Sequence, residues 1–120
     1  MPVHKILIVD DSPTERFYLA DLLGKQGYQV NLAENGTEAL EKAKLLMPDL
    51  ILMDVVMPGL NGFQATRAIS KDDALKHIPV ILCTTKDQET DKIWGLRQGA
   101  IEYIVKPIDS NALLQKIRSL

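Results

Sequence analysis

Five residues that carry a charge or a hydroxyl group come directly after short apolar runs. An acidic pair follows the first run, and single residues follow the third, fourth and fifth: Asp10, Asp11, Asp54, Thr84 and Lys106. Carboxylates are hard oxygen ligands of the kind that Mg²⁺ prefers, and a lysine can pair with an anionic group. If these side chains meet, they can bind a divalent cation and an anion side by side.

The charge balance of such a pocket favours a bound cation. Three carboxylates in one crevice repel one another and cannot all stay ionised without compensation. Mg²⁺ would supply it, with Lys106 adding a fixed positive charge. Taken singly, each of these residues has an ordinary interpretation as a helix cap or a loop residue. Their joint occurrence at the ends of four runs indicates a functional site.

The apolar runs have the character of strands that a parallel sheet buries on both faces, because they are short, aliphatic and continuous. The predicted strands are Ile6–Val9, Gln29–Ala33, Leu50–Met53, Val80–Cys83 and Ile101–Val105. Helical patterns alternate with them. This alternation predicts a doubly wound α/β fold of the flavodoxin type, with five helices and a five-stranded parallel sheet in the order 2-1-3-4-5. The switch point of that order lies between strands one and three, where the three aspartates would meet.

The helices are predicted from their start and stop signals. Capping residues begin them at Ser12, Asn35, Asn61, Asp87 and Asp109 or Ser110, and the first four end near Gly27, Pro48, Lys71 and Gly99. The apolar face of the second helix is predicted to contain Ala39, Ala43, Leu46 and Met47. In the last helix, Leu113, Ile117 and Leu120 form one stripe.

Composition narrows the class of protein. A chain of 120 residues, 46% of them apolar and 25% charged, predicts one globular domain spanning 1–120 with no output domain. The net charge of -2 argues against a nucleic-acid partner. The N-terminus lacks a long apolar stretch, so membrane insertion is not expected. The single cysteine, Cys83, is interpreted as a buried thiol in a reducing compartment, and we expect a cytoplasmic protein.

The motifs at the strand ends resemble those of receiver domains of bacterial two-component response regulators, over the whole chain. They are Ile8-Val9-Asp10-Asp11, Asp54 followed by Met57-Pro58 and Gly62, Thr84 after Pro79-Val80-Ile81, and Lys106-Pro107. Within this family the chain is most similar in character to single-domain regulators of chemosensory pathways, particularly those controlling type IV pilus twitching motility.

This resemblance implies a phosphoryl-transfer chemistry. Asp54 would be the phosphoacceptor, taking its phosphoryl group from a phosphohistidine of a chemotaxis-kinase-like histidine kinase. Mg²⁺ would be held by Asp10, Asp11, Asp54 and the backbone carbonyl of Val56. Lys106 and Thr84 would bind the phosphoryl group. The protein would not be an enzyme in the usual sense, since it would assist only its own phosphorylation and autodephosphorylation.

The resemblance also implies how the signal is read. Thr84 would move toward the phosphoryl group, and Tyr103 would turn inward to fill the space. The Lys106–Pro107 peptide bond would be cis. A downstream target would bind the face formed by the fourth helix, the fifth strand and the fifth helix. We expect a monomer or a weak dimer.

Several residues are ambiguous in the sequence. Trp94 fits either a core position or the signalling face, while His4 and His77 are interpreted as ordinary surface or strand-entry residues. Thr85 stands where the family usually has a very small residue, which predicts tighter access for phosphodonors. Asn61 replaces a common aspartate and is expected to affect only helix capping.

Other functions remain open at this point. On the same phosphorylation chemistry, the chain could act as a phosphate sink for a shared kinase. It could also be a phosphorylation-independent interaction module, although the complete set of site residues argues against that. A flavin- or nucleotide-binding module lacks support, because Asp10-Asp11-Ser12-Pro13 replaces a glycine-rich loop. A phosphohydrolase of the haloacid-dehalogenase type would need an aspartate where this chain has Val56.

Overall fold

The computed structural model describes residues 2–120, in which five strands alternate with five helices. The strands are β1 (Lys5–Val9), β2 (Gln29–Ala33), β3 (Leu50–Met53), β4 (Val80–Thr84) and β5 (Glu102–Val105). The helices are α1 (Pro13–Lys25), α2 (Gly36–Leu46), α3 (Gly62–Lys71), α4 (Glu89–Arg97) and α5 (Ser110–Arg118). Each predicted element is present.

All four strand pairs are parallel, and the strand order is β2-β1-β3-β4-β5. This confirms the predicted flavodoxin-like topology. The central strands β3 and β4 are buried throughout, and β1 is buried beyond its first residue. The edge strand β5 is half-buried throughout, whereas β2 contains exposed, half-buried and buried residues. Central strands have no solvent-facing side, which explains why their sequences are continuously apolar.

Two apolar clusters cover the two faces of the sheet. On one face, α1 and α5 pack against it through Leu19, Leu23, Leu113, Leu114 and Ile117. On the other face, small residues of α2 and α3 allow close approach to the sheet, among them Ala39, Ala43 and Ala65. The sheet is therefore packed between two layers of helices, which support the loops at its carboxyl edge.

Three helix boundaries differ from the sequence prediction. The last helix, α5, ends at Arg118, so Leu120 lies beyond the helix rather than on its apolar stripe. Met47 does not join the apolar face of α2, because it adopts a left-handed conformation with φ of 48° and is 40% exposed. A residue that precedes proline is disfavoured in the helical region, so α2 ends before Pro48. The N-cap of α4 is Gln88 rather than Asp87, and the Asp91 carboxylate accepts a hydrogen bond from the Gln88 N–H at 3.3 Å.

The structure also places the residues that the sequence left ambiguous. Trp94 is 51% exposed on α4 and therefore is not a core residue. His4 and His77 are exposed, as expected, and Cys83 is buried. Asn61 caps α3 by accepting a hydrogen bond from the Gln64 N–H at 2.9 Å. Within residues 2–120, no helix combines the length and hydropathy that a membrane span requires.

Candidate functional site

Backbone pairing carries two of the aspartates past the ends of neighbouring strands. The Asp10 N–H donates to the Ala33 carbonyl at 3.1 Å, and the Asp54 N–H donates to the Val9 carbonyl at 2.9 Å. Because β1 lies between β2 and β3, these bonds extend the sheet by one residue at its carboxyl edge. The two carboxylates therefore project from adjacent positions at the switch point of the topology.

Asp10, Asp11 and Asp54 form one cluster of carboxylates. One oxygen from each lies within 4.8 Å of the others. Asp10 and Asp54 are buried, with 2% and 8% exposed, whereas Asp11 is exposed. A set of hard oxygen donors that is partly open to water fits Mg²⁺, which retains several water ligands in most protein sites. The cluster is therefore able to hold this ion.

Lys106 supplies positive charge to the same pocket. Its ammonium lies 2.7 Å from Asp10 Oδ2 and 3.5 Å from Asp54 Oδ2, and the side chain is 10% exposed. Burial by itself would lower the lysine pKa. The hydrogen bond with Asp10 and the charge of Asp54 outweigh that effect, so the pKa of Lys106 lies above its ordinary value. The lysine is thus held in its charged form between two carboxylates.

The Asp54 carboxylate is constrained and incompletely compensated. Its Oδ1 accepts a hydrogen bond from the Val55 N–H at 2.7 Å. Burial raises the pKa of Asp54, Lys106 opposes this shift, and the nearby Asp10 charge adds to it; the pKa lies above its ordinary value. Because the more distant of the two lysine contacts is the one to Asp54, this carboxylate retains the stronger need for an additional positive charge.

The remaining predicted residues surround this cluster. Thr84 is fully buried at the end of β4, and its carbonyl accepts a hydrogen bond from the Lys106 N–H at 2.9 Å. The side chain of Val56 is exposed in the loop after Asp54. Tyr103 is half-buried against the core, and its hydroxyl donates to the Lys86 carbonyl at 2.8 Å. The Lys106–Pro107 peptide bond is cis, as the resemblance implied.

Two contacts to Asp10 were not anticipated from the sequence. The Ser12 N–H donates to Asp10 Oδ1 at 2.9 Å, and Arg16 Nη1 donates to the Asp10 carbonyl at 2.7 Å. Ser12 was interpreted only as a helix cap. A signal for Arg16 exists, because a side chain one turn into a helix leans toward the N-terminus, where the acidic pair lies.

The comparisons with known proteins found a matching family and several relatives. A family model for the response regulator receiver domain matches residues 6–118. Protein PilH of Pseudomonas aeruginosa is 57% identical over 116 residues, which are 97% of this chain and 96% of PilH. Chemotaxis protein CheY of Bacillus subtilis is 40% identical, with 95% and 94% of the two chains covered.

The similarity extends to solved structures. The crystal structure of the Vibrio cholerae chemotaxis protein CheY4 superposes with a TM-score of 0.90. It covers 98% of each chain, at 34% sequence identity. The backbone similarity therefore extends over nearly the full length of both chains.

Proposed function

The chain belongs to the response regulator receiver domain family, and we propose that it accepts a phosphoryl group on Asp54 from the phosphohistidine of a histidine kinase. The observation that carries the proposal is the position of Asp54 in a pocket that contains two further carboxylates and the Lys106 ammonium. Of the two buried carboxylates, Asp54 lies farther from the Lys106 ammonium, at 3.5 Å, compared with 2.7 Å for Asp10.

In the proposed transfer, an oxygen of Asp54 forms a bond to phosphorus while the bond from phosphorus to the histidine nitrogen breaks. The electron pair of that bond stays on the imidazole, and the product is an acyl phosphate. Lys106 would pair with a phosphoryl oxygen, and the Thr84 hydroxyl would donate a hydrogen bond to another. The chain's contribution is mainly positioning and charge stabilisation, as is usual in phosphoryl transfer.

Asp10, Asp11 and Asp54 would hold Mg²⁺ together with the Val56 carbonyl. When bound, Mg²⁺ supplies positive charge that offsets the negative charge of the transferring group. Hydrogen bonds from the protein already orient two of these carboxylates. The Ser12 N–H and Lys106 donate to the two oxygens of Asp10, and the Val55 N–H donates to one oxygen of Asp54. These contacts keep the carboxylates oriented before the ion arrives.

The phosphorylated state would be read on the face formed by α4, β5 and α5. A phosphoryl group adds roughly -1.5 to -2 charge and strong acceptor oxygens, which would attract the Thr84 hydroxyl. Tyr103 is joined to the β4–α4 connection through its bond to the Lys86 carbonyl, so movement there would reach α4. Apolar side chains exposed on α4 support partner binding at this face: Ile93, Trp94 and Leu96.

The similarity to Protein PilH and to CheY supports a role in a chemosensory pathway, with type IV pilus twitching motility as the proposed output. We propose that the chain acts as a single cytoplasmic receiver domain, as a monomer or weak dimer, through a downstream protein. A phosphate sink would share the first transfer step but would not need the exposed apolar side chains of α4.

The test is intact-mass analysis after incubation with acetyl phosphate, with Mg²⁺ or with EDTA. The wild type should gain one phosphoryl group only with Mg²⁺, and Asp54→Asn should gain none. Asp73→Asn, which removes a carboxylate that is 95% exposed, serves as the matched control and should be modified like the wild type. A phosphoryl adduct on the Asp54→Asn variant would refute the assignment.

A further inference from the structure

The side chain of Arg16 reaches from α1 to the peptide that joins the acidic pair. Nη1 donates to the Asp10 carbonyl at 2.7 Å, and Nη2 lies 3.2 Å from Glu34 Oε1. The arginine side chain is only 13% exposed, while that of Glu34 is 65% exposed. The guanidinium therefore bridges three parts of the chain: the end of β1, the start of α1 and the loop after β2.

The contact to the carbonyl completes the fixation of Asp10. Its two carboxylate oxygens are already held by the Ser12 N–H and by Lys106, and Arg16 holds the remaining acceptor. The carbonyl belongs to the planar peptide unit that leads into Asp11, so fixing the oxygen fixes the orientation of that plane. Asp11 is exposed, and the direction of its side chain depends on this backbone.

We propose that Arg16 is a positioning residue for the metal site, acting through the Asp10–Asp11 peptide rather than through contact with the ion or the phosphoryl group. The proposal rests on the proposed function in assuming that the acidic cluster binds Mg²⁺. The ion pair with Glu34 orients the Arg16 guanidinium. Such an exposed ion pair contributes little stability. However, the planar guanidinium can bind two acceptors at a fixed angle, here Glu34 and the Asp10 carbonyl.

The sign of the effect on Mg²⁺ binding separates positioning from simple electrostatics. A positive charge close to three carboxylates opposes the binding of a cation, so its removal should strengthen Mg²⁺ binding if charge alone mattered. Loss of a positioning contact has the opposite effect, because Asp11 would then sample orientations that do not bind the ion. Lysine retains the charge of Arg16 but cannot reproduce its two-pronged geometry.

The experiment measures the Kd for Mg²⁺ alone by isothermal titration calorimetry on the full chain. Arg16→Lys and Arg16→Met should each weaken binding by about tenfold, the lower end of the loss seen when a residue that orients a metal ligand is removed. Arg118→Met removes an exposed arginine at the end of α5 and should bind Mg²⁺ like the wild type. Arg16→Lys serves as the second variant if Arg16→Met does not fold.

A second readout excludes a merely structural role. At saturating Mg²⁺, both Arg16 variants should be phosphorylated by acetyl phosphate within about twofold of the wild-type rate, because Arg16 is not proposed to contact the transition state. Unchanged Mg²⁺ affinity in Arg16→Lys, or tighter binding in Arg16→Met, would overturn the inference. Failure of the wild type to bind Mg²⁺ would instead refute the proposed function, so the two failures are distinguishable.

Discussion

At the scale of single residues, Asp54 occupies a position that disfavours its own charge. Burial and the neighbouring Asp10 raise the pKa of Asp54, and Lys106 offsets this only in part. A carboxyl group with a raised pKa in the folded state contributes stability below its unfolded pKa and loses that contribution as the pH rises through the folded value. In the absence of metal, Asp54 should therefore destabilise the fold at neutral pH.

We expect Asp54→Asn to be more stable than the wild type at pH 7 in EDTA, by about 1 kcal/mol, which is a usual size for a single substitution. The stability advantage of Asp54→Asn should shrink as the pH falls through the raised pKa of the wild-type carboxyl, because that group then becomes protonated. Urea unfolding followed by circular dichroism, at pH 7 and at acidic pH, measures the free energy of unfolding of both proteins. A variant that is less stable than the wild type at pH 7 would show that Lys106 compensates Asp54 fully.

At the scale of elements, the start of α3 is packed directly on the loop that follows Asp54. A Cβ atom at Gly62 would lie 2.0 Å from the Asp54 carbonyl oxygen and 2.8 Å from the Val55 Cα. The Gly62 N–H also donates to the Val55 carbonyl at 3.0 Å. Because backbone atoms meet backbone atoms here, any side chain must displace either α3 or the acidic loop.

Gly62→Ala should therefore destabilise the protein by about 3 kcal/mol and weaken Mg²⁺ binding, because Asp54 moves with its loop. Gly24→Ala is the matched control, since no heavy atom lies within 4 Å of the added Cβ apart from the adjacent residues and the backbone of its own helix, α1. It should stabilise the protein by about 0.5–1 kcal/mol through helix propensity and leave Mg²⁺ binding unchanged. Thermal unfolding and titration calorimetry test both variants. Equal stability of the two variants would show that the close approach of Gly62 to the Asp54–Val55 backbone does not exclude a side chain.

At the scale of the whole molecule, the site links segments that are distant along the chain. The Lys106 ammonium lies 2.7 Å from a carboxylate 96 residues away. Mg²⁺ bound by residues that follow β1 and β3 should therefore stabilise the folded chain as a unit, because unfolding any of these elements disperses the ligands.

Mg²⁺ at about 100 times its Kd should raise the free energy of unfolding by about 2.7 kcal/mol. Trp94 fluorescence and far-ultraviolet circular dichroism should report the same shift of the urea midpoint, although the single tryptophan lies on α4. Asp54→Asn should gain clearly less from Mg²⁺. A shift seen by circular dichroism alone would mean that α4 unfolds independently of the site.

Local sequence signals were sufficient to predict the fold class and the convergence of the three aspartates and Lys106. Continuous apolar runs predicted the buried strands, and alternation with capped helices predicted the topology that the structure confirms. The strand-end positions of the aspartates and Lys106 predicted their convergence, since parallel strands bring their carboxyl ends to one edge. Apolar runs, helix caps and strand-end positions each involve residues close together in sequence, so the sequence alone is enough to recognise them.

Other features were decided only by the tertiary structure. Among them are the unequal distances from Lys106 to Asp10 and Asp54, the bond from Arg16 to the Asp10 carbonyl, and the exposure of Trp94. Each depends on how helices pack against the sheet, which sets distances between residues far apart in sequence. Sequence patterns determine which side chains reach the carboxyl edge; packing determines which atoms touch there and how strongly their charges interact.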